Sequence, residues 1–313
     1  MNEATDRLSV HAVAAIPRTP LPDWPQGWYA FSHSRNLARG QIRAVTLAGQ
    51  EIVVFRTAAG ALGALDAHCP HMGAHLAHGR VHGEHLVCAL HCWRIAVDGS
   101  IEQRAPRARA WPVREQGGLI LIEFGAGRPV PIAGDAQFVW TDTAPLDLAV
   151  PWHAVMTNAF DMPHLATVHG RELVAPAQVS MEAGRQCSLQ YVSRVSGRGL
   201  SDRLMKWISG DRIHVRMVCH GTTLTIETDL GFTRTAACVG MLPTPQGTRL
   251  YPVFGVRRGR FQRVRLALAR WLFTAFLRRD LYVIEGMRLR TDVDDPALQT
   301  LFDFLRTLRP ARA

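Results

Sequence analysis

Two short cysteine–histidine pairs constrain this chain more than anything else in it. Cys69-Pro70-His71 is a C-x-H pair, and after sixteen intervening residues comes the C-x-x-H pair Cys88-Ala89-Leu90-His91. Two thiolates and two imidazoles on paired loops can hold one [2Fe–2S] cluster, with the cysteines on one iron and the histidines on the other. Neutral imidazole brings less negative charge than thiolate, so such a cluster is easier to reduce than an all-cysteine one. Pro70, Gly73, Gly79 and Gly83 suit tight loops around a cofactor. Structural zinc is the alternative. Zinc sites usually use C-x2–4-C and H-x3–5-H pairs, whereas each pair here mixes one Cys with one His.

A length of 313 residues suggests about two domains, and 47% hydrophobic residues can fill their cores. Four further cysteines, Cys92, Cys187, Cys219 and Cys238, show no disulfide framework, so a reducing, cytoplasmic location is expected. The polar N-terminus has no apolar core of a signal peptide, and no run of about 18 apolar residues exists to form a transmembrane segment. The formal charge is +10 and almost entirely arginine, with Lys206 the sole lysine. Between Arg257 and Arg312 there are 13 Arg against 6 acids, or +7 of the total. A basic surface can steer an acidic electron-donor protein, an anionic substrate or an anionic membrane face, or simply be solvated. No nucleic-acid motif accompanies it, so nucleic acid is not an expected partner.

Residues 1–22 read as a tail. Residues 23–128 read as a small all-β domain with the paired loops inserted, built from Gln41–Leu47, Glu51–Arg56, Leu62–Leu65, Pro112–Glu115 and Leu119–Phe124. A linker, Gly125 to Pro131, leads into a mixed domain, 129–313. There Gln186–Val195, Arg212–Cys219, Thr222–Thr228 and Arg234–Leu242 alternate as an antiparallel sheet should. Two helices close the chain, about Phe261–Met287 and one entered through Asp294-Asp295-Pro296 with Leu298, Leu301, Phe302, Leu305 and Leu308 on one face. The fold class is therefore α+β.

A second metal centre is suggested by Asn158-x-x-Asp161-x-x-His164-x4-His169. Two imidazoles and one carboxylate form the facial triad of non-haem iron(II), which leaves positions open for dioxygen. His164 and His169 are the imidazole candidates. Asp280 is the carboxylate candidate, because at helical spacing it shares an otherwise apolar face with Leu272, Phe276, Ile284 and Met287. A carboxylate there is costly to bury unless paired, and a metal would pair it. A salt bridge to Arg278 or Arg279, or plain exposure, are the ordinary readings.

Taken together, these residues resemble the terminal oxygenase subunits of the Rieske non-haem iron oxygenases, or aromatic ring-hydroxylating oxygenases. The wording Cys69-Pro-His-Met-Gly-Ala-His-Leu76 is most similar to the 3-ketosteroid 9α-hydroxylase type and its cholesterol-desaturase relatives. The resemblance implies an N-terminal Rieske domain and a helix-grip (START-like) catalytic domain with an antiparallel sheet. It implies a [2Fe–2S] cluster on Cys69, His71, Cys88 and His91, and mononuclear Fe(II) on His164, His169 and Asp280. It implies O2 as co-substrate and a small organic substrate. Electrons would come from NAD(P)H through a separate reductase or ferredoxin, since no dinucleotide-binding glycine motif is present. The subunits would form a head-to-tail homotrimer. Asp161 would then join His91 of the partner subunit to His164, and Asn158 would sit beside the iron as a hydrogen-bond partner.

Three departures stand out. Ala89 replaces a usual proline, Cys92 replaces a usual glycine, and the catalytic domain is short. Cys92 is expected to be buried. The expected reaction is hydroxylation, with oxidative demethylation and desaturation as alternatives at the same centre. A pure electron carrier is the rival class. A respiratory carrier would have cysteines at Ala74 and Leu90, and a ferredoxin would leave residues beyond about 125 unexplained. A third reading keeps the cluster but makes the iron site degenerate and regulatory. The Arg-rich helix beginning near residue 257 reads as a core or interface helix, or as a membrane-surface helix. Trp152, His153, Met156, Met205, Trp207 and Met217 are the candidate cavity residues.

Overall fold

The structure is a computed structural model that describes residues 20–125, 135–210, 212–231 and 233–311. The N-terminal tail up to residue 19 and most of the Gly125–Pro131 linker lie outside the described residues.

Nine short strands build the first domain: β1 (Gly27–His33), β2 (Ile42–Leu47), β3 (Gln50–Arg56), β4 (Leu62–Asp66), β5 (Arg80–His82), β6 (His85–Val87), β7 (Arg94–Ile95), β8 (Val113–Gln116) and β9 (Leu119–Phe124). They pair antiparallel as three sheets, β1-β9-β8, β2-β3-β4 and β5-β6-β7. The smallest sheet sets the two Cys/His loops side by side, one leading into β5 and one joining β6 to β7.

The second domain contains β10 (Phe138–Asp142), β11 (Leu146–Leu148), α1 (Trp152–Phe160), α2 (Met162–Thr167), β12 (Arg171–Leu173), β13 (Gln178–Glu182), β14 (Gln186–Val195) and α3 (Leu200–Ser209). It continues with β15 (Ile213–Cys219), β16 (Thr223–Asp229), β17 (Arg234–Thr244), β18 (Gly247–Arg257), α4 (Gln262–Ile284) and α5 (Pro296–Thr307). A nine-stranded antiparallel sheet runs β10-β18-β17-β16-β15-β14-β12, with β11 on β18 and β13 on β14. The long helix α4 lies against it, in the helix-grip arrangement.

Strand β18 escapes sequence reading for a physical reason. Pro252 and Gly255 look like breakers, and its middle is buried throughout, so no polar alternation marks it. The helix α5 starts as expected. Pro296 opens it, and Asp295 caps it by accepting the Leu298 N–H at 2.9 Å. All five residues of its expected apolar face are buried. The helix α4 ends at Ile284, short of Met287. Among the described residues no helix is long and apolar enough to cross a membrane.

The two domains share a core. Trp28, Tyr29, Leu119 and Leu121 pack with Cys238, Leu242, Tyr251 and Val253 from β17 and β18. Gly240 allows the approach, because a Cβ there would lie 2.1 Å from the Cβ of Ala30. Hydrogen bonds cross the same seam, from Thr222 Oγ1 to the Trp28 carbonyl (3.3 Å) and between His33 Nε2 and the Pro252 carbonyl (3.1 Å).

Candidate metal centres and the chamber beside them

The two Cys/His loops are near copies of each other in backbone. Cys69 N–H donates to the Ala74 carbonyl, and Gly73 N–H donates back to the Cys69 carbonyl, both at 2.9 Å. Cys88 N–H donates to the Trp93 carbonyl at 2.9 Å, and Cys92 N–H returns to the Cys88 carbonyl at 3.1 Å. The matching positions Gly73 and Cys92 are both left-handed, with φ of 73° and 54°. Cys92 therefore occupies a glycine conformation, and it is exposed rather than buried as expected.

The same geometry separates the donors by type. Cys69 and Cys88 are buried in the domain core, at 3% and 2% exposure, while His71 and His91 are exposed. The two imidazole rings are 4.5 Å apart, and His71 stacks on Trp93. Burial pushes the Cys69 thiol up, opposed by a hydrogen bond from the His71 amide, with Cys88 beside it adding to the rise. Binding to iron would remove that proton outright. A buried thiol pair beside an exposed imidazole pair fits a two-iron cluster better than one zinc ion.

The second group does gather on one point. His164 sits on α2, His169 just past its end and Asp280 on α4. Both Nε2 atoms lie 2.7 Å from the same Asp280 Oδ1 and 3.0 Å from each other. Exposure is 9%, 1% and 13% for the three side chains. Asn158 on α1 donates its amide to that same Asp280 oxygen at 2.9 Å. His169 is also held by Phe276 of α4, whose ring stacks on it at 3.4 Å between centroids. Burial pushes the Asp280 carboxyl up, but hydrogen bonds from His164, His169 and Asn158 outweigh it and hold it below the usual carboxylate range. Burial holds His169 below the ordinary imidazole value, against the opposing pull of Asp280. A neutral imidazole at His169 and an ionised carboxylate at Asp280 are protonation states that suit a divalent metal. The donor set suits iron(II).

Asp280 makes no salt bridge to Arg278 or Arg279. Arg279 pairs instead with Asp202 at 3.2 Å. Asp161 caps α2 by accepting the His164 N–H at 3.3 Å, so it touches the backbone of His164.

Beside the triad lies a chamber of about 580 Å³ between the sheet and helices α3 and α4. Its wall is mainly apolar and includes Met205, Met217, Ile226, Phe254, Leu272 and Phe276. Phe276 thus separates the chamber from His169. Of the candidate cavity residues, Met205, Trp207 and Met217 line the chamber. Trp152 and Met156 belong to the domain core, and Trp152 Nε1 donates to the Asp23 carbonyl. His153 Nε2 is bonded to the Pro22 carbonyl, so Trp152 and His153 anchor the chain entry and Met156 fills the core, and none of the three lines the chamber. Arg171, Tyr191 and Asp202 also line the chamber. Sequence reading passed over them, because one arginine among so many has no pattern to mark it.

Residues 27–116 match the Rieske [2Fe-2S] domain family. The chain is 35% identical over 177 residues to the 3-ketosteroid-9-alpha-monooxygenase oxygenase component of Mycolicibacterium smegmatis, covering 50% of this chain and 46% of that protein. It is 31% identical over 178 residues to cholesterol 7-desaturase nvd 1 of Ciona intestinalis, covering 51% and 38%. The matched part therefore spans less than half the length of either relative. Among solved structures, dicamba monooxygenase bound to 3,6-dichlorosalicylic acid superposes with a TM-score of 0.67 at 16% identity, covering 90% of this chain and 97% of the other. The Pseudomonas putida CBB5 NdmA QL mutant with theobromine gives 0.65 at 17%, covering 90% and 89%. At such identities the likeness is one of fold. Residues 27–116 thus match a Rieske [2Fe–2S] domain, and the chain joins them to an antiparallel-sheet domain in a fold shared with dicamba monooxygenase.

Proposed function

We propose that this chain is a terminal oxygenase component, with a [2Fe–2S] cluster on Cys69, His71, Cys88 and His91 and mononuclear Fe(II) on His164, His169 and Asp280. When bound, the cluster supplies one-electron transfer and the iron supplies the reductive activation of dioxygen. The chain's residues do the positioning. Asn158 fixes the Asp280 oxygen that faces both imidazoles. Phe276 fixes the plane of His169 and forms the wall against which substrate rests. The apolar chamber keeps water from a bound organic molecule.

Electrons come from NAD(P)H through a separate reductase or ferredoxin. The working assembly is a cytoplasmic head-to-tail homotrimer, in which Asp161 links His91 of the partner subunit to His164. The reaction is hydroxylation. Desaturation and oxidative demethylation use the same centre, and one relative bears the name of a desaturase.

One observation carries this reading: two buried imidazoles and one buried carboxylate converge beside an apolar chamber. The test is anaerobic assembly with iron and sulfide, followed by analysis for about three irons and two sulfides per chain. The loaded protein, supplied with a generic reductase, is then screened with sterols, aromatic acids and methylated amines for substrate-dependent oxygen uptake. Two irons per chain and no uptake with any substrate would leave only an electron carrier.

A further inference from the structure

One charged group in the chamber makes no direct polar contact, although Asp202 and Tyr191 attract it through space. Arg171 opens β12 two residues past His169 and is only 8% exposed. Among the described residues its guanidinium makes no hydrogen bond or ion pair, and its Nη1 is buried without a partner. Four charged side chains line the chamber: Arg171, Asp202, Arg265 and Arg279. Asp202, the one acid among them, is committed to Arg279, with its two oxygens at 3.3 and 3.2 Å from that guanidinium. Its Oδ2 also accepts the Gly199 N–H at 3.1 Å. Arg265 donates to Thr233 Oγ1 and the Arg257 carbonyl. Asp280 is engaged by His164, His169 and Asn158. The chamber is therefore apolar over most of its wall, net positive, and furnished with one free planar fork of N–H donors.

A buried guanidinium without a partner is costly, and a bound ligand that pairs it removes the cost. We infer that Arg171 is the specificity-determining anchor of the chamber and receives the carboxylate of an apolar organic acid. Guanidinium and carboxylate match in a two-pronged, charge-assisted hydrogen bond. A neutral ester of the same skeleton leaves the charge unpaired and binds more weakly. This rests on the reading of the chamber as the substrate site and narrows the substrate to a carboxylate.

The test titrates the metal-loaded full-length protein, without oxygen, with benzoate, 2-naphthoate and lithocholate and with the methyl ester of each. Tryptophan fluorescence reports binding, since Trp207 stands on the chamber wall. At least one acid should bind ten-fold or more tightly than its ester. Arg171→Gln should erase that preference, and Arg171→Lys should keep part of it. Without ligand, Arg171→Met should melt above the wild type, because the unpaired charge is gone. The inference is overturned if no acid is preferred, or if the preference survives Arg171→Gln, which would place the acid on the metal instead. It is also overturned if Arg171→Met melts no higher than wild type, which would mean that the guanidinium already has a partner. None of these readouts needs turnover, so the oxygenase reading can fail on oxygen uptake while this one stands.

Discussion

The cluster loops and the buried triad gather metal donors by opposite means. The loops take four donors from residues 69–91, on two backbone turns of the same pattern, and leave the imidazoles at the surface. The triad takes its carboxylate from a helix 116 residues beyond His164 and buries all three donors. The contrast is one of task. On the function proposed above, electrons arrive from another protein, so one edge of the cluster has to be reachable. A reactive site gains from excluding water and from fixed geometry. The loops are accordingly a local device on a small sheet, and the triad is a product of the whole second domain.

If the two centres are as independent as their construction implies, Asp280→Ala or His164→Ala should lower iron from about three to about two per chain and abolish turnover, with the cluster spectrum unchanged. Cys88→Ser should do the reverse and remove the cluster while the third iron remains. Loss of the cluster signal in the Asp280 variant would break the comparison.

Asp161 tests the link between the regions. Asp161→Asn keeps a capping oxygen for α2, so folding and both metals should survive while turnover falls at least roughly ten-fold, as expected for a lost partner of a metal ligand. Asp161→Ala should lose turnover and also about 1 kcal/mol of stability. Normal oxygen uptake in the Asn variant would confine Asp161 to capping.

The burial of the second domain should show in its response to acid. His220, at the end of β15, is held down at about 4 by burial, with Arg216 nearby adding to the effect. Its native pKa is below the ordinary 6.5, so the unfolded chain takes up the proton first. Its contribution is complete above about pH 6.5 and is lost as the pH falls toward 4. In urea unfolding at pH 7 and pH 4.5, His220→Gln should reduce the acid-induced loss of stability by roughly 2 kcal/mol. An identical loss in variant and wild type would show that His220 is protonated as easily in the native state.

The smallest effect tests the likeness of the two loops. Cys92→Gly relieves a left-handed backbone at φ 54° and should raise stability by about 1 kcal/mol, measured by thermal melting, with the cluster spectrum intact.

Much of this molecule could be read along the chain, and the contrast between the two regions explains which parts. The Cys/His pairs are legible because each loop closes on itself within a few residues. Helix α5 announces itself by Asp295-Pro296 and its apolar face, and β14 by partial alternation, whereas β17 is buried throughout residues 236–243 and reads only as an apolar run. The strand β18 is hidden by its own burial. Asp280 could be suspected from an acid in an apolar stripe and is expected to join His164 and His169, but spacing alone leaves Arg278 and Arg279 as rival partners. Cys92 was misjudged because its exposure follows from a loop conformation that residue type does not encode.

Local chemistry, written in short-range spacing, determined that the chain carries a Rieske domain and two candidate sets of metal donors. Only the tertiary structure decided that Asp280 meets His164 and His169, that Phe276 divides them from a chamber, and that Arg171 lies in that chamber with its charge unpaired. The reason is physical. Hydrogen-bonded turns and helix faces arise among near neighbours, whereas burial and charge pairing depend on which distant elements are packed together.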